Sequence, residues 1–169
     1  MSELTITLLP ETPADDAAIE RLVVRTFGPG RFARTAYRLR EGRPHRLDLS
    51  FTAHIGTMLV GSVRLTPILI GEAQALLLGP LTVEPPFRSH GIGRRLVDRA
   101  LAAARAAGAR TVLLVGDEPY YSRMGFVRVP KGQVSLPGPV DPARVLVCLL
   151  DGGPLAEVAG AVRPDFAVA

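Results

Sequence analysis

The segment Leu81-Thr-Val-Glu-Pro-Pro-Phe-Arg-Ser-His-Gly-Ile-Gly-Arg-Arg-Leu96 holds the residues best able to do chemistry. An apolar run over residues 76–83 stops at Pro85 and Pro86, which have no N–H to continue a strand ladder. Arg88-x-x-Gly91-x-Gly93 then opens a helix rich in Ala, Leu and Arg. Gly91 and Gly93 lack a Cβ, so a ligand can come close to the backbone. The N–H groups of Ser89, His90, Gly91, Ile92, Gly93 and Arg94 gather at a helix N-terminus, an arrangement that binds phosphate. Arg88 and Arg94 add charge-assisted hydrogen bonds to the same anion.

Groups able to move protons flank this turn. Tyr120 and Tyr121 are phenols, and a phenol with a pKa of about 10 is protonated at neutral pH and can donate to a departing anion. Helix neighbours face different ways, so the two are rivals for one role. Glu84, at the end of the apolar run, is a candidate base, directly or through water; Asp117, Glu118, His54 and His90 are others. A carboxylate with a pKa of about 4.3 is a poor base unless burial raises it. The three histidines have no metal-ligand spacing, and a lone cysteine, Cys148, excludes an internal disulfide or a cysteine metal cluster. In the apolar run of residues 145–150, Cys148 reads as a small buried hydrophobe. No metal is expected.

These groups need a scaffold. A short strand at residues 5–9 precedes a helix that starts near Thr12-Pro-Ala-Asp15, carries Ile19, Leu22, Val23 and Phe27 on one face, and stops at Gly28-Pro-Gly30. A second helical piece spans residues 31–40. Antiparallel strands are expected at 47–55, 58–70 and 76–83, joined by turns at Gly56 and at Gly71-Glu72. The helix over residues 91–107 buries Ile92, Leu96, Val97, Ala100, Leu101 and Ala104 and ends at Gly108. The segment 111–115 is apolar after Thr111, as befits a strand covered on both faces beside a crossover helix. A short helix at 120–124 and strands at 125–129 and 144–150 follow, and the tail adds an element without a clear place. No repeat or linker divides the chain, so residues 1–169 read as one α/β (α+β) domain with its ligand-binding segment at 76–129.

Composition narrows the function classes. The chain has 169 residues, 47% hydrophobic and 21% charged, which suits one globular domain with a real core. No run approaches the roughly 18 apolar residues of a membrane span, and Met1-Ser-Glu-Leu-Thr-Ile lacks the features of a secretory signal. A soluble cytoplasmic protein is the expectation. The net charge is +4, with Lys131 the only lysine. Arg21, Arg25, Arg31, Arg34, Arg38, Arg40, Arg43 and Arg46 cluster against a single acid, Glu41. The segment is a solvated helix face with its loop, or it attracts a ligand's phosphates, an acidic acceptor or nucleic acid. Sparse aromatics and the lack of a nucleic-acid motif disfavour the last, which would show steeply salt-dependent binding.

Three phosphate-binding templates can be compared with the turn. A P-loop needs Gly-x-x-x-x-Gly-Lys-Ser/Thr, and no such lysine exists. A dinucleotide fingerprint needs a third glycine where Leu96 stands. Val83-x-Pro85-x-x-Arg88-x-x-Gly91-x-Gly93-x-x-Leu96 instead resembles the coenzyme A-binding motif of the GNAT superfamily of acetyl-CoA-dependent N-acetyltransferases. Downstream, Tyr120-Tyr-Ser-Arg-Met-Gly-Phe126 is similar to that family's Tyr-x-x-x-Gly-Phe element. The Leu-Gly-Pro-Leu-x-Val lead-in makes the chain look most like the YhbS-like subgroup.

The resemblance implies a GNAT fold: a mixed central sheet with antiparallel N-terminal strands, splayed strands 4 and 5, and flanking helices. It implies acetyl-CoA as donor, with its pantetheine arm lying between the splayed strands along Leu81, Thr82 and Val83. Ser89 to Arg94 and Arg88 would bind the pyrophosphate, and Tyr121 would stand near the coenzyme sulfur as general acid, with Glu84 the candidate base. The implied reaction is direct transfer to a primary amine. The alternative is a domain of the same fold that holds acyl-CoA as a sensor without turnover. By resemblance the first two helices frame the acceptor, so an anionic acceptor is expected. A homodimer is compatible with the family.

Overall fold

The computed structural model describes residues 4–28, 35–41 and 44–166. In chain order these form β1 (Ile6–Pro10), α1 (Asp16–Phe27), α2 (Thr35–Arg38), β2 (Phe51–Ile55), β3 (Met58–Ile70) and β4 (Ala73–Val83). Then come α3 (Ile92–Ala106), β5 (Thr111–Val115), α4 (Glu118–Tyr121), β6 (Phe126–Arg128), β7 (Val134–Ser135), β8 (Val145–Leu149) and β9 (Gly160–Pro164). The strands are ordered β1-β2-β3-β4-β5-β8-β6. β4 and β5 run parallel, as a crossover through α3 demands, and the other neighbours along this path are antiparallel. The expected mixed sheet with flanking helices is present.

Helix α1 begins after Thr12, whose backbone N–H donates to Asp15 at 2.8 Å, and ends at Gly28, which takes φ +65°. Its buried Ile19, Leu22 and Val23 face the sheet over β3 and β4. On the other face α3 buries Ile92, Leu96, Val97, Ala100, Leu101 and Ala104 against Phe51, Val63, Leu65, Leu76, Val112 and Phe126. Gly61 lets this helix come close: a Cβ there would lie 3.1 Å from Leu96 Cδ1. Among the described residues, no helix is long and apolar enough to cross a membrane.

One expectation is corrected, one can be followed only in part, and the tail finds its place. Residues 47–49 are a 3-10 turn rather than strand, because Arg46 pairs with Asp48 and the Ser50 hydroxyl donates to the Arg46 carbonyl, curling the chain before β2. Of the helix expected over 31–40, only Thr35–Arg38 is helical among the described residues; Arg31, Arg34 and Arg43 lie outside them, as does Gly30. The tail forms β9, which pairs with the far end of β3 and with β7.

Two features of β4 shape the site. Gly79 and Pro80 both lie opposite Arg64 of β3, since the register runs Val63↔Leu81 and then Leu65↔Leu78. This is a bulge, and a bulge bends its strand. On the other side, β4 pairs with β5 only through Leu76↔Val112 and Leu77↔Leu113. Beyond Leu77 the two strands part.

Candidate active site

A cavity of about 850 Å³ fills the opening between the parted strands. Residues 78–81 of β4 form one wall and residues 114–117, at the end of β5, the other. Val23 and Phe27 of α1, Tyr37 and Arg40 around α2, and Pro139 to Asp141 complete it, with Tyr120 and Tyr121 entering from α4. Among the described residues, the β5-facing edge of β4 from residue 78 onward has no strand partner, so its main chain is open to an extended ligand. Leu81 and Val83 point their side chains into the α3 core, whereas Thr82 is buried on the opposite face.

The glycine turn stands where the sequence puts it, just after β4. Residues Pro85–His90 make a 3-10 turn, and Gly91 caps α3 with φ +73°, a left-handed conformation that disfavours any side chain. Arg88 Nε donates to the Val83 carbonyl at 3.3 Å, holding the guanidinium at the turn. Arg94 lies 3.7 Å from Asp98 one helical turn on. Ser89 and His90 are exposed, and Ile92 is buried, so only its backbone can serve a ligand. Gly91→Ala is expected to cost about 1 kcal/mol of stability from the left-handed backbone alone. It should also weaken acetyl-CoA binding, checked by urea unfolding alongside calorimetric titration.

The two tyrosines have different surroundings. A Cβ on Gly93 would sit 2.4 Å from the Tyr120 hydroxyl, so that phenol lies directly over the glycine turn. Tyr121 packs edge-on against Phe126 with ring centroids 5.8 Å apart, and its Cε2 would be 2.6 Å from a Cβ on Gly116. Burial pushes the Tyr121 phenol up to about 12, with smaller help from Tyr120 and Asp117, and burial also raises Tyr120. Both therefore carry their proton at neutral pH and can give it to a developing anion. Cys148 is buried, and its burial pushes the thiol up, which suits a packed side chain rather than a nucleophile.

The sequence-derived candidate bases scatter. Glu84 is bound by Arg25 of α1 and is not among the cavity-lining residues. Glu118 faces Arg128 at 3.4 Å, His54 meets the Thr52 hydroxyl at 3.0 Å, and His90 lies against Phe87. Only Asp117 of the five lines the cavity, and it is tied to Arg144 at 2.6 Å. The described arginines of the basic segment also diverge: Arg25 goes to Glu84, Arg46 to Asp48 and Arg38 to the Pro137 carbonyl, while Arg40 abuts Gly79 at the cavity wall.

A polar cluster that the sequence reading did not single out lies on the cavity's inner side. Glu11, which follows β1, is 4% exposed and accepts from Arg64 Nε at 3.0 Å, from Arg64 at a second nitrogen at 3.1 Å, and from His45 Nε2 at 2.7 Å. Arg64 also reaches Asp16 at 3.0 Å, and both Arg64 and His45 line the cavity. Burial alone would raise the Glu11 carboxyl, but hydrogen bonds and charge from His45 and Arg64 outweigh it and hold it below the usual range.

A splayed parallel pair, a glycine turn at its mouth and a protonated phenol beside its cavity define a GNAT-type acyltransferase. A family model described as an acetyltransferase (GNAT) domain matches residues 48–128, and the chain belongs to this family. It is 33% identical over 118 residues to the N-acetyltransferase YhbS of Escherichia coli K12, covering 69% of this chain and 70% of that one. It is also 32% identical over 117 residues to the N-acetyltransferase YjhQ of the same organism, covering 67% and 65%. Among solved structures it is similar to Escherichia coli YhbS in complex with CoA, with TM-score 0.82, 27% identity and 98% and 92% of the two chains covered. A Brucella melitensis GNAT acetyltransferase in complex with acetyl-CoA gives TM-score 0.69, 27% identity and 98% and 99% coverage. The resemblance read from the two motifs is borne out.

Proposed function

We propose that the protein binds acetyl-CoA in the wedge between β4 and β5 and transfers the acetyl group to a primary amine by direct attack in a ternary complex. The observation that carries this reading is the loss of β4–β5 pairing beyond Leu77↔Leu113, which leaves a free strand edge along a large cavity. The main chains of Leu81, Thr82 and Val83 take the pantetheine arm as an added strand. The N–H groups from Ser89 to Arg94, with Arg88, take the pyrophosphate. Complexes with CoA or acetyl-CoA in structures of the same fold support this placement.

Bound there, the thioester carbonyl lies at the β4 bulge within reach of both sides of the cavity. The amine nitrogen attacks the carbonyl carbon, the C–N bond forms, and the C–S bond breaks. Tyr121 donates its proton to the leaving sulfur and recovers one from the acylated nitrogen. The acceptor carries negative charge, met by Arg40, whose guanidinium sits against Gly79 at the β4 bulge. The reaction proceeds in the cytoplasm and needs no metal.

The test is release of CoA thiol from acetyl-CoA in the presence of a panel of acidic and neutral primary amines. Acidic amines should be favoured by about 10-fold or more in kcat/KM, the worth of one charge-assisted hydrogen bond, and Arg40→Ala should remove the preference. Equal activity on both groups removes the anionic acceptor. Tight acetyl-CoA binding with no release on any amine makes the domain an acyl-CoA sensor instead.

A further inference from the structure

An amine that enters the cavity as an ammonium must lose a proton before it can attack, and Glu84 stands outside the cavity wall. His45 is on the wall. Its neighbour Arg46 donates its backbone N–H to the Leu65 carbonyl at 2.8 Å, which sets this stretch against the edge of β3 opposite β4. The stretch is thus two strand spacings, roughly 9–10 Å, from the β4 bulge. His45 and the bulge residues Gly79 and Pro80 line the same cavity.

The imidazole is oriented by a group that can only accept. Glu11 is held below the usual carboxylate range, so it is an anion, and the 2.7 Å contact requires the hydrogen on His45 Nε2. Nδ1 is then the ring nitrogen left to exchange a proton, and among the described residues no side-chain contact engages it. A buried carboxylate fixing the tautomer of a histidine whose other nitrogen accepts a proton is the arrangement of a catalytic dyad. Arg64 locks the carboxylate through two hydrogen bonds, and it also sits opposite Gly79 and Pro80 in the β4 bulge. One rigid cluster therefore connects the histidine to the strand that would hold the thioester.

We propose that His45 is the general base of the transfer, taking a proton from the acceptor ammonium at Nδ1, with Glu11 and Arg64 as positioning residues. This rests on the acetyltransferase reading above. The ammonium gives one proton to His45, and its nitrogen attacks the thioester carbonyl as the C–S bond breaks. A second proton goes to the sulfur through Tyr121, and His45 returns the first to solvent. The products are an acetamide, CoA thiol and one proton. Among the described residues, Glu11 beyond β1 binds the imidazole, Arg64 of β3 and Asp16 of α1 extend that cluster, and Glu20, Tyr37 and Arg40 are among the charged and titratable groups lining the same cavity.

The test uses His45→Ala and His45→Gln in the full chain, with the amines that the wild type acetylates. Both variants should lose roughly 10²-fold in kcat near neutral pH while acetyl-CoA affinity and thermal midpoint hold. Free imidazole should restore His45→Ala by 10-fold or more, on the order expected of general-base rescue. The acidic limb of the wild-type pH–rate profile should disappear in both variants. Wild-type kcat in either variant overturns the proposal. So does a loss confined to KM for acidic amines, which makes His45 a binding residue, or a loss without imidazole rescue accompanied by a lowered thermal midpoint. If the wild type transfers to no amine, the acetyltransferase reading fails and the base falls with it.

Discussion

Tyr121→Phe is expected to lower kcat for acetyl transfer by roughly 10²- to 10³-fold, with acetyl-CoA affinity within about twofold of wild type. The lost hydroxyl is the proposed proton donor to the leaving sulfur, while the ring that Gly116 and Phe126 hold remains in place. Tyr120→Phe should behave differently, because its hydroxyl lies over Gly93 in the glycine turn. Its effect should fall on acetyl-CoA affinity and leave kcat near wild type. Steady-state kinetics with calorimetric titration of acetyl-CoA separates the two. Comparable kcat losses in both variants would leave neither phenol as the specific donor, and a loss confined to Tyr120→Phe would exchange their roles. Because burial holds the Tyr121 phenol up at about 12, its deprotonation should not depress the rate below about pH 10.

Glu11→Ala should destabilise the protein by about 3 kcal/mol at neutral pH. The carboxylate is almost wholly buried and satisfies both His45 and Arg64, so its removal leaves a guanidinium with Asp16 as its one remaining side-chain partner among the described residues. The effect is pH-dependent, with a defined sign. A carboxyl whose folded pKa lies below its unfolded value stabilises the fold above the unfolded value, near 4.5, and loses that contribution as pH falls through the folded one. The gap between wild type and Glu11→Ala, measured by urea unfolding, should be fully open at pH 6 to 7 and narrow below about pH 4. A gap that stays constant into acid would mean the cluster stabilises through packing rather than charge.

Local chemistry and periodicity carried much of this architecture. Residues Val112–Val115 are apolar without a break and lie in a strand buried in the sheet, and Gly91 and Gly108 bracket α3 as their lack of a side chain allows. The glycine turn reads directly because its residues are contiguous. What sequence left hidden depends on partners far along the chain. Glu11 and His45 are 34 residues apart, and only the meeting of β1 with the stretch beside β3 joins them. Glu84 looked available until α1 delivered Arg25, 59 residues away. β9 is short and carries one buried side chain, so its place against β3 comes from tertiary pairing rather than from its own pattern. The adjacent tyrosines could not be told apart because their surroundings, Gly93 for one and Gly116 with Phe126 for the other, are set by the packing of α4.

Direct transfer in a ternary complex is tested by a single turnover with enzyme in excess over acetyl-CoA, with and without an acetylated amine from the panel. CoA thiol and acetamide should appear together and in equal amounts only when the amine is present, and mass spectrometry should find no acetyl group on the protein. A burst of thiol without amine, with acetyl retained on Cys148 or any other residue, would contradict the account.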